Sequence, residues 1–265
     1  MSDYVDGPPR LTELAFHNPL SESRAERMVR RLARREPATV LDIGCGWGEL
    51  LLRILAAAPG AKGVGVDINA EDLDRGRRAA EARGLAGRVE FREESAREGD
   101  GPGGDGPGGD GPDPADLVLC LGSSHALSGA PAPEHTVEAL RALRGLVRDG
   151  GRVVLGEGFW ERTPTERELA GMWPGAAVSD HYDLAALLDA AVAAGFRPEW
   201  TETANRDEWE EFESAYQADA EVWLAAHPGH PEADAARERL DRHRSQWMHY
   251  RGVLGLAFLT LVPAG

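Results

Sequence analysis

Between Val40 and Leu51 the chain reads VLDIGCGWGELL, an apolar run that breaks into glycines at alternate positions and passes directly into a second apolar segment. Gly44, Gly46 and Gly48 let the backbone come close to a ligand at the mouth of a strand, and the helix that follows offers its unpaired amide N–H groups there. A plain strand-to-helix turn does not call for three glycines, nor for an acid, Asp42, two residues ahead of the first.

The chain downstream alternates strand and helix. GVGVDI (63–68) reads as a second strand, the stretch after Asn69 as a helix capped by it, and RVEF (88–91) as a third strand. This βαβαβ order points to a parallel sheet with crossover helices. ADLVLCLG (115–122) continues it as a strand, 134–151 as a helix ended by its glycines, RVVLGEGF (152–159) as a strand and 183–196 as a helix. RPEWTETA (197–204) and VLGLAFLTLV (253–262) complete seven strands, and a leading helix is expected over 21–35 behind a Ser23-to-Glu26 capping box. At 265 residues one folding unit over 1–265 is expected, with 1–36 as an N-terminal helical segment. Two pieces, 160–180 and 206–250, interrupt the alternation at strand ends where open α/β sheets bind ligands, so they are expected to form a helical lid. In the second, Trp209, Phe212, Tyr216 and Trp223 are expected on one helical face, and Leu240, His243, Trp247 and Tyr250 on another. The Gly-Pro-Asp repeats of 99–114 hold no apolar anchor and read as a solvated loop.

Charge narrows the partners. With 29 basic against 45 acidic residues, net −16, the chain repels nucleic acid and anionic membranes. The longest apolar stretch is too short to span a bilayer and the N-terminus is not leader-like, so a cytoplasmic protein is expected, as a monomer or homodimer. Cys45 and Cys120 read as reduced thiols, and His227 and His230 have no third ligand nearby, so no metal site is expected.

Asp67 ends the second strand nineteen residues after Gly48, where a carboxylate can accept both hydroxyls of a ribose. Its alternative duty, capping the next helix, already falls to Asn69. The glycine pattern is GxGxG rather than the dinucleotide GxGxxG, and no basic residue beside Asp67 awaits a second phosphate, so an adenosine other than NAD is expected.

These residues resemble the class I S-adenosylmethionine-dependent methyltransferases, whose DxGCGxG motif is matched by Asp42, Gly44, Cys45, Gly46 and Gly48. The likeness extends to HNPLSESR, LGSSHALSG, GEGFW and YRGVLGLAF, which are similar to a bacterial subgroup. The resemblance implies an α/β, Rossmann-like, seven-stranded and mostly parallel sheet with helices on both faces, an antiparallel last strand and helical lid insertions. It implies S-adenosyl-L-methionine as cofactor, S-adenosyl-L-homocysteine as product, and no metal. Asp42 would support the methionine end, Asp67 the ribose and Ile68 one face of adenine, while Ser95 and Ala96 would present backbone groups to the adenine edge. Leu121 and Gly122, at the end of the strand beside the first, would meet the cofactor near the sulfonium.

The expected reaction is methyl transfer to an oxygen or nitrogen of a small-molecule acceptor. The alternatives are an enzyme that cleaves or rearranges the adenosylmethionine chain and a non-catalytic sensor of it. His125 either removes a proton from the acceptor or shapes the pocket, and Glu157 either orients the acceptor or serves as base. Asn18 is a candidate to reach over the cofactor, Trp160 to pack on the acceptor, and Tyr250 with Arg251 to hold a carboxylate on it.

Overall fold

The computed structural model describes residues 10–96 and 114–264; the expected loop at 99–114 lies, but for its last residue, outside the described residues, as do the first nine of the N-terminal segment. The elements run α1 (Glu22–Ala33), β1 (Thr39–Ile43), α2 (Glu49–Ala57), β2 (Lys62–Asp67), α3 (Ala70–Ala82), β3 (Val89–Glu93), β4 (Ala115–Leu121), α4 (Glu134–Leu146) and β5 (Val147–Trp160). They continue with α5 (Glu166–Gly171), α6 (Leu184–Ala193), β6 (Phe196–Thr203), α7 (Arg206–Ala226), α8 (Ala233–Tyr250) and β7 (Leu254–Pro263). The seven strands lie in the order β3-β2-β1-β4-β5-β7-β6, all parallel except β7, which is antiparallel to both neighbours.

Successive residues of a strand face opposite sides, and the sequence loads both sides with apolar groups. Val40 therefore joins the layer made with α1, α2 and α3, and Leu41 the layer made with α4 and α6. Fully buried side chains such as Leu51, Leu119 and Leu140 each contribute about 1.5–3 kcal/mol. After β3 the chain returns across β1 to lay down β4 on its other side, so the order reverses between β1 and β4 and leaves a crevice at their carboxyl ends.

Two boundaries differ from expectation. The cap of α1 is Ser21, not Ser23: Ser21 has extended backbone and its hydroxyl accepts the Arg24 N–H, while Ser23 lies inside the helix. Helix α4 stops at Leu146, ahead of the glycines, because Val147 already pairs with Ala115 as the start of β5. Gly151 is needed there for close passage, since a Cβ on it would lie 2.8 Å from the Asp116 carbonyl oxygen.

Helices α7 and α8 form an antiparallel pair around a buried acid. Glu213 is 1% exposed; its Oε1 accepts the Tyr250 hydroxyl at 2.5 Å and its Oε2 lies 2.7 Å from His243 Nε2. Trp223 packs instead at the far turn, against Ala233, Ala236 and the rings of His227 and His230. The N-terminus of α7 is fixed to α1 and β6 by ion pairs of Arg24 with Glu208 at 2.7 Å and Glu202 at 3.2 Å. Residues 10–20 run as a strap between the sheet layers and α7. Arg75 donates to the carbonyls of Leu11 and Leu14, the Trp47 indole to that of Ala15, and Thr12 bonds Asp219 through both its amide and its hydroxyl.

Candidate functional site

The glycine turn after β1 is shaped by what sits behind it. Gly44 has φ +63°, and a Cβ on it would fall 2.3 Å from that of Ser123, whose hydroxyl donates to the Ile43 carbonyl at 2.6 Å. The ends of β1 and β4 are thereby buttoned together. Gly46, also at positive φ, has open space where a side chain would go. Its N–H donates to Asp67 Oδ2 at 2.8 Å, and Asp67 Oδ1 accepts the Asn69 N–H at 2.9 Å. Asp67 therefore organises the turn as well as ending β2. Each carboxylate oxygen has a second acceptor site beyond these bonds.

Above the turn lies a crevice of about 630 Å³. The structure brings together on its walls Asn18, Asp42, Gly44, Cys45, Gly46, Asp67, Ile68, Ser95, Ala96, Leu121, Gly122 and His125, all singled out in the sequence. Gly48 sits behind it, its missing Cβ leaving room for Phe91. Ile68 is 76% exposed, an apolar side chain at the end of β2 that is not part of the core. Asn18 Nδ2 donates to the Leu121 carbonyl at 3.5 Å, and its Oδ1 lies where only a glycine, Gly122, leaves room.

Asp42 is 5% exposed, and among the described residues no hydrogen-bond donor reaches its carboxyl. Burial, helped by the nearby charge of Asp67, raises its pKa from 3.8 to about 8. Cys45, against Gly65, has its thiol pushed up by burial and by Asp42, so it is a neutral wall rather than a nucleophile.

Other candidates lie elsewhere. Glu157 does not line the crevice: it is 6% exposed beneath the 3₁₀ turn Ser124–Leu127, held by the Ser124 hydroxyl and the Gly158 N–H, with Oε2 buried and unpaired. Burial raises its pKa to about 7 against the pull of those two bonds. Trp160, 4% exposed, stacks on Trp173 and donates to the Val178 carbonyl. Trp160, Tyr250 and Arg251 line a second crevice, of about 710 Å³, and Arg251 is paired with Glu210.

Two further crevice residues lie in the EES (93–95) and HNPL (17–20) stretches of the sequence without an individually assigned role there. Glu94, next to Ser95, presents a carboxylate whose Oε1 is buried without a hydrogen bond. His17, next to Asn18, stacks on Trp47, and Trp47 carries the Arg75 guanidinium on its ring at 3.9 Å. Burial lowers the His17 pKa, leaving a neutral ring. Adjacency to a chosen residue was the available signal for both. No group of three His, Cys, Asp or Glu suited to a metal ion, and no helix long and apolar enough to cross a membrane, occurs among the described residues.

Residues 41–153 match the family described as a methyltransferase domain. The chain is 26% identical over 240 residues to YjhP of Escherichia coli strain K12, covering 90% of each. A SAM-dependent methyltransferase of Geobacter sulfurreducens, solved with S-adenosyl-L-homocysteine, is similar with TM-score 0.77 and 26% identity over 97% of this chain and 99% of that one. One from Thiobacillus denitrificans, solved with the same molecule, has TM-score 0.77 and 25% identity over 97% and 99%.

Proposed function

We propose that this chain, which carries a class I methyltransferase domain over residues 41–153, binds S-adenosylmethionine in the 630 Å³ crevice and methylates an oxygen or nitrogen of a small molecule. The observation that carries the reading is the pair at the end of β2: Asp67, with acceptor sites left over, beside Ile68 at 76% exposure. A sugar diol and a flat base satisfy the two together. The buried, donor-free carboxyl of Asp42 and the Glu94 carboxylate, whose Oε1 has no hydrogen bond and only a 3.9 Å ion pair with Arg92, add two acceptors suited to the amino groups of such a molecule. The net charge of −16 favours a small acceptor over nucleic acid.

When bound, the cofactor supplies a methyl group on a sulfonium, already a good leaving group. What remains for the protein is alignment, exclusion of water and, for an oxygen acceptor, removal of a proton. The strap and Trp47 cover the crevice, and Asn18 holds the β4 end through Leu121. His125, exposed at the rim on the turn after β4, is the base. Glu157 is a positioning residue, fixing that turn through Ser124.

Incubating the protein with methyl-labelled S-adenosylmethionine and a metabolite extract should give S-adenosylhomocysteine and one labelled product. Methylthioadenosine in its place, or cofactor bound but never consumed, would overturn the reading.

Asp42 adds a pH signature. With its pKa raised to about 8, the empty protein carries a proton there at pH 7, and this group takes stability away as pH rises from about 4 toward 8. A cationic amine beside it favours the carboxylate and expels the proton. Calorimetry at pH 7 in buffers of differing ionisation enthalpy should report release of about one proton per cofactor bound, and Asp42→Asn should report none.

A further inference from the structure

The second crevice lies at the same sheet edge, between the ends of β5 and β6, the start of β7 and helices α7 and α8, and shares no lining residue with the first. The two are nevertheless close. Leu121, on the first, pairs with Gly156, and Phe159, on the second, comes three residues later along β5, about 10 Å at a strand's rise of about 3.3 Å per residue. Its walls are rings: Phe159, Trp160, Trp209, Trp247 and Tyr250. The Tyr250 ring is held by the Glu213 bond and by Trp209 at a centroid distance of 6.1 Å.

The polar groups on this wall are unequally committed. Glu210 is taken by Arg251, and Asp183 caps α6 by accepting the Ala186 N–H at 2.8 Å, which leaves Glu161, exposed at the rim. The donors are freer. The Trp209 indole N–H is buried with no acceptor, and Arg206, which is exposed, has no carboxylate partner among the described residues. Arg206 is also the first residue of α7, after its cap Asn205, where the helix dipole disfavours a cation. Its guanidinium lies beside Gly252, where a Cβ would sit 3.4 Å from Nη2. Arg206 is exposed at the lining of an aromatic slot, where an anion entering the slot can share the helix end with it.

We infer that this crevice holds the far end of the methyl acceptor, and that this end is a planar aromatic ring bearing a carboxylate anchored by Arg206. The reacting atom then lies about 10 Å away, toward Leu121. Assignment to the acceptor rests on the proposed methyl transfer; the ligand chemistry of the crevice does not.

The test uses the full chain, first saturated with S-adenosylhomocysteine by calorimetry, then titrated with three probes of one shape: biphenyl-4-carboxylate, biphenyl-4-methanol and biphenyl-4-methylamine. The carboxylate should bind at least about tenfold more tightly than the other two. Arg206→Gln should remove that advantage without changing the affinity for the alcohol or for S-adenosylhomocysteine, and Arg206→Lys should return part of it. Equal or tighter binding of the alcohol or amine, no binding of the carboxylate, or an unaltered Arg206→Gln would overturn the inference. Failure of S-adenosylhomocysteine to bind would instead strike the proposed function, and the probe series, run without it, would still judge the crevice.

Discussion

Replacing Asp67 with alanine is expected to weaken S-adenosylhomocysteine binding by about 100-fold or more in calorimetry. A hydrogen bond to a charged group is worth about 1.5–3 kcal/mol, and two ribose hydroxyls on one carboxylate lose both at once. The loss is compounded because the same oxygens hold the N–H groups of Gly46 and Asn69, so the turn that faces the cofactor loosens as well. Asp67→Asn, which keeps one acceptor oxygen, should fall between the two, and unchanged affinity in Asp67→Ala would remove the ribose assignment.

Arg24→Met is expected to lower the unfolding free energy by about 3–5 kcal/mol, read by urea denaturation. Arg24 donates to both oxygens of Glu208, at 2.8 and 2.7 Å, within a site where Glu208 also accepts from Ser21 and Asn205. Burial alone would raise the Glu208 pKa, but these bonds, led by Arg24, hold it at about 2. A depressed carboxyl stabilises the fold above its ordinary value of 4.5 and loses that contribution as pH falls from there toward 2. The variant should therefore also lose part of its acid-side pH dependence. Changing both partners to methionine should recover stability over the single change, because the penalty comes from the stranded charge. A single variant as stable as the parent would show that the pair contributes nothing net.

The fold was legible in the sequence to the extent that it depends on local periodicity. Short apolar runs bounded by turn residues marked the strands, and the glycines with Asp42 and Asp67 marked the crevice because backbone approach and a strand-end acid are requirements written into single positions. What escaped depends on contacts distant along the chain. Ser21 displaced Ser23 as cap while its hydroxyl also reaches Glu208, 187 residues on. Glu157 was expected in the crevice because it ends a strand, yet the Ser124 turn from the neighbouring strand closes over it. Trp160, Tyr250 and Arg251 were expected on the acceptor, and β7 with the α7–α8 pair sets them around a second crevice, whose exposed cation, Arg206, has no signature in a sequence rich in arginine.

The strap has a consequence for biosynthesis. The floor of the cofactor crevice is complete once β4 has emerged, but its cover is clasped from Thr12 to Asp219, a separation of 207 residues. On a ribosome, the segments that frame the basin and its first fastenings, Trp47 and Arg75, emerge long before α7 brings the Asp219 clasp.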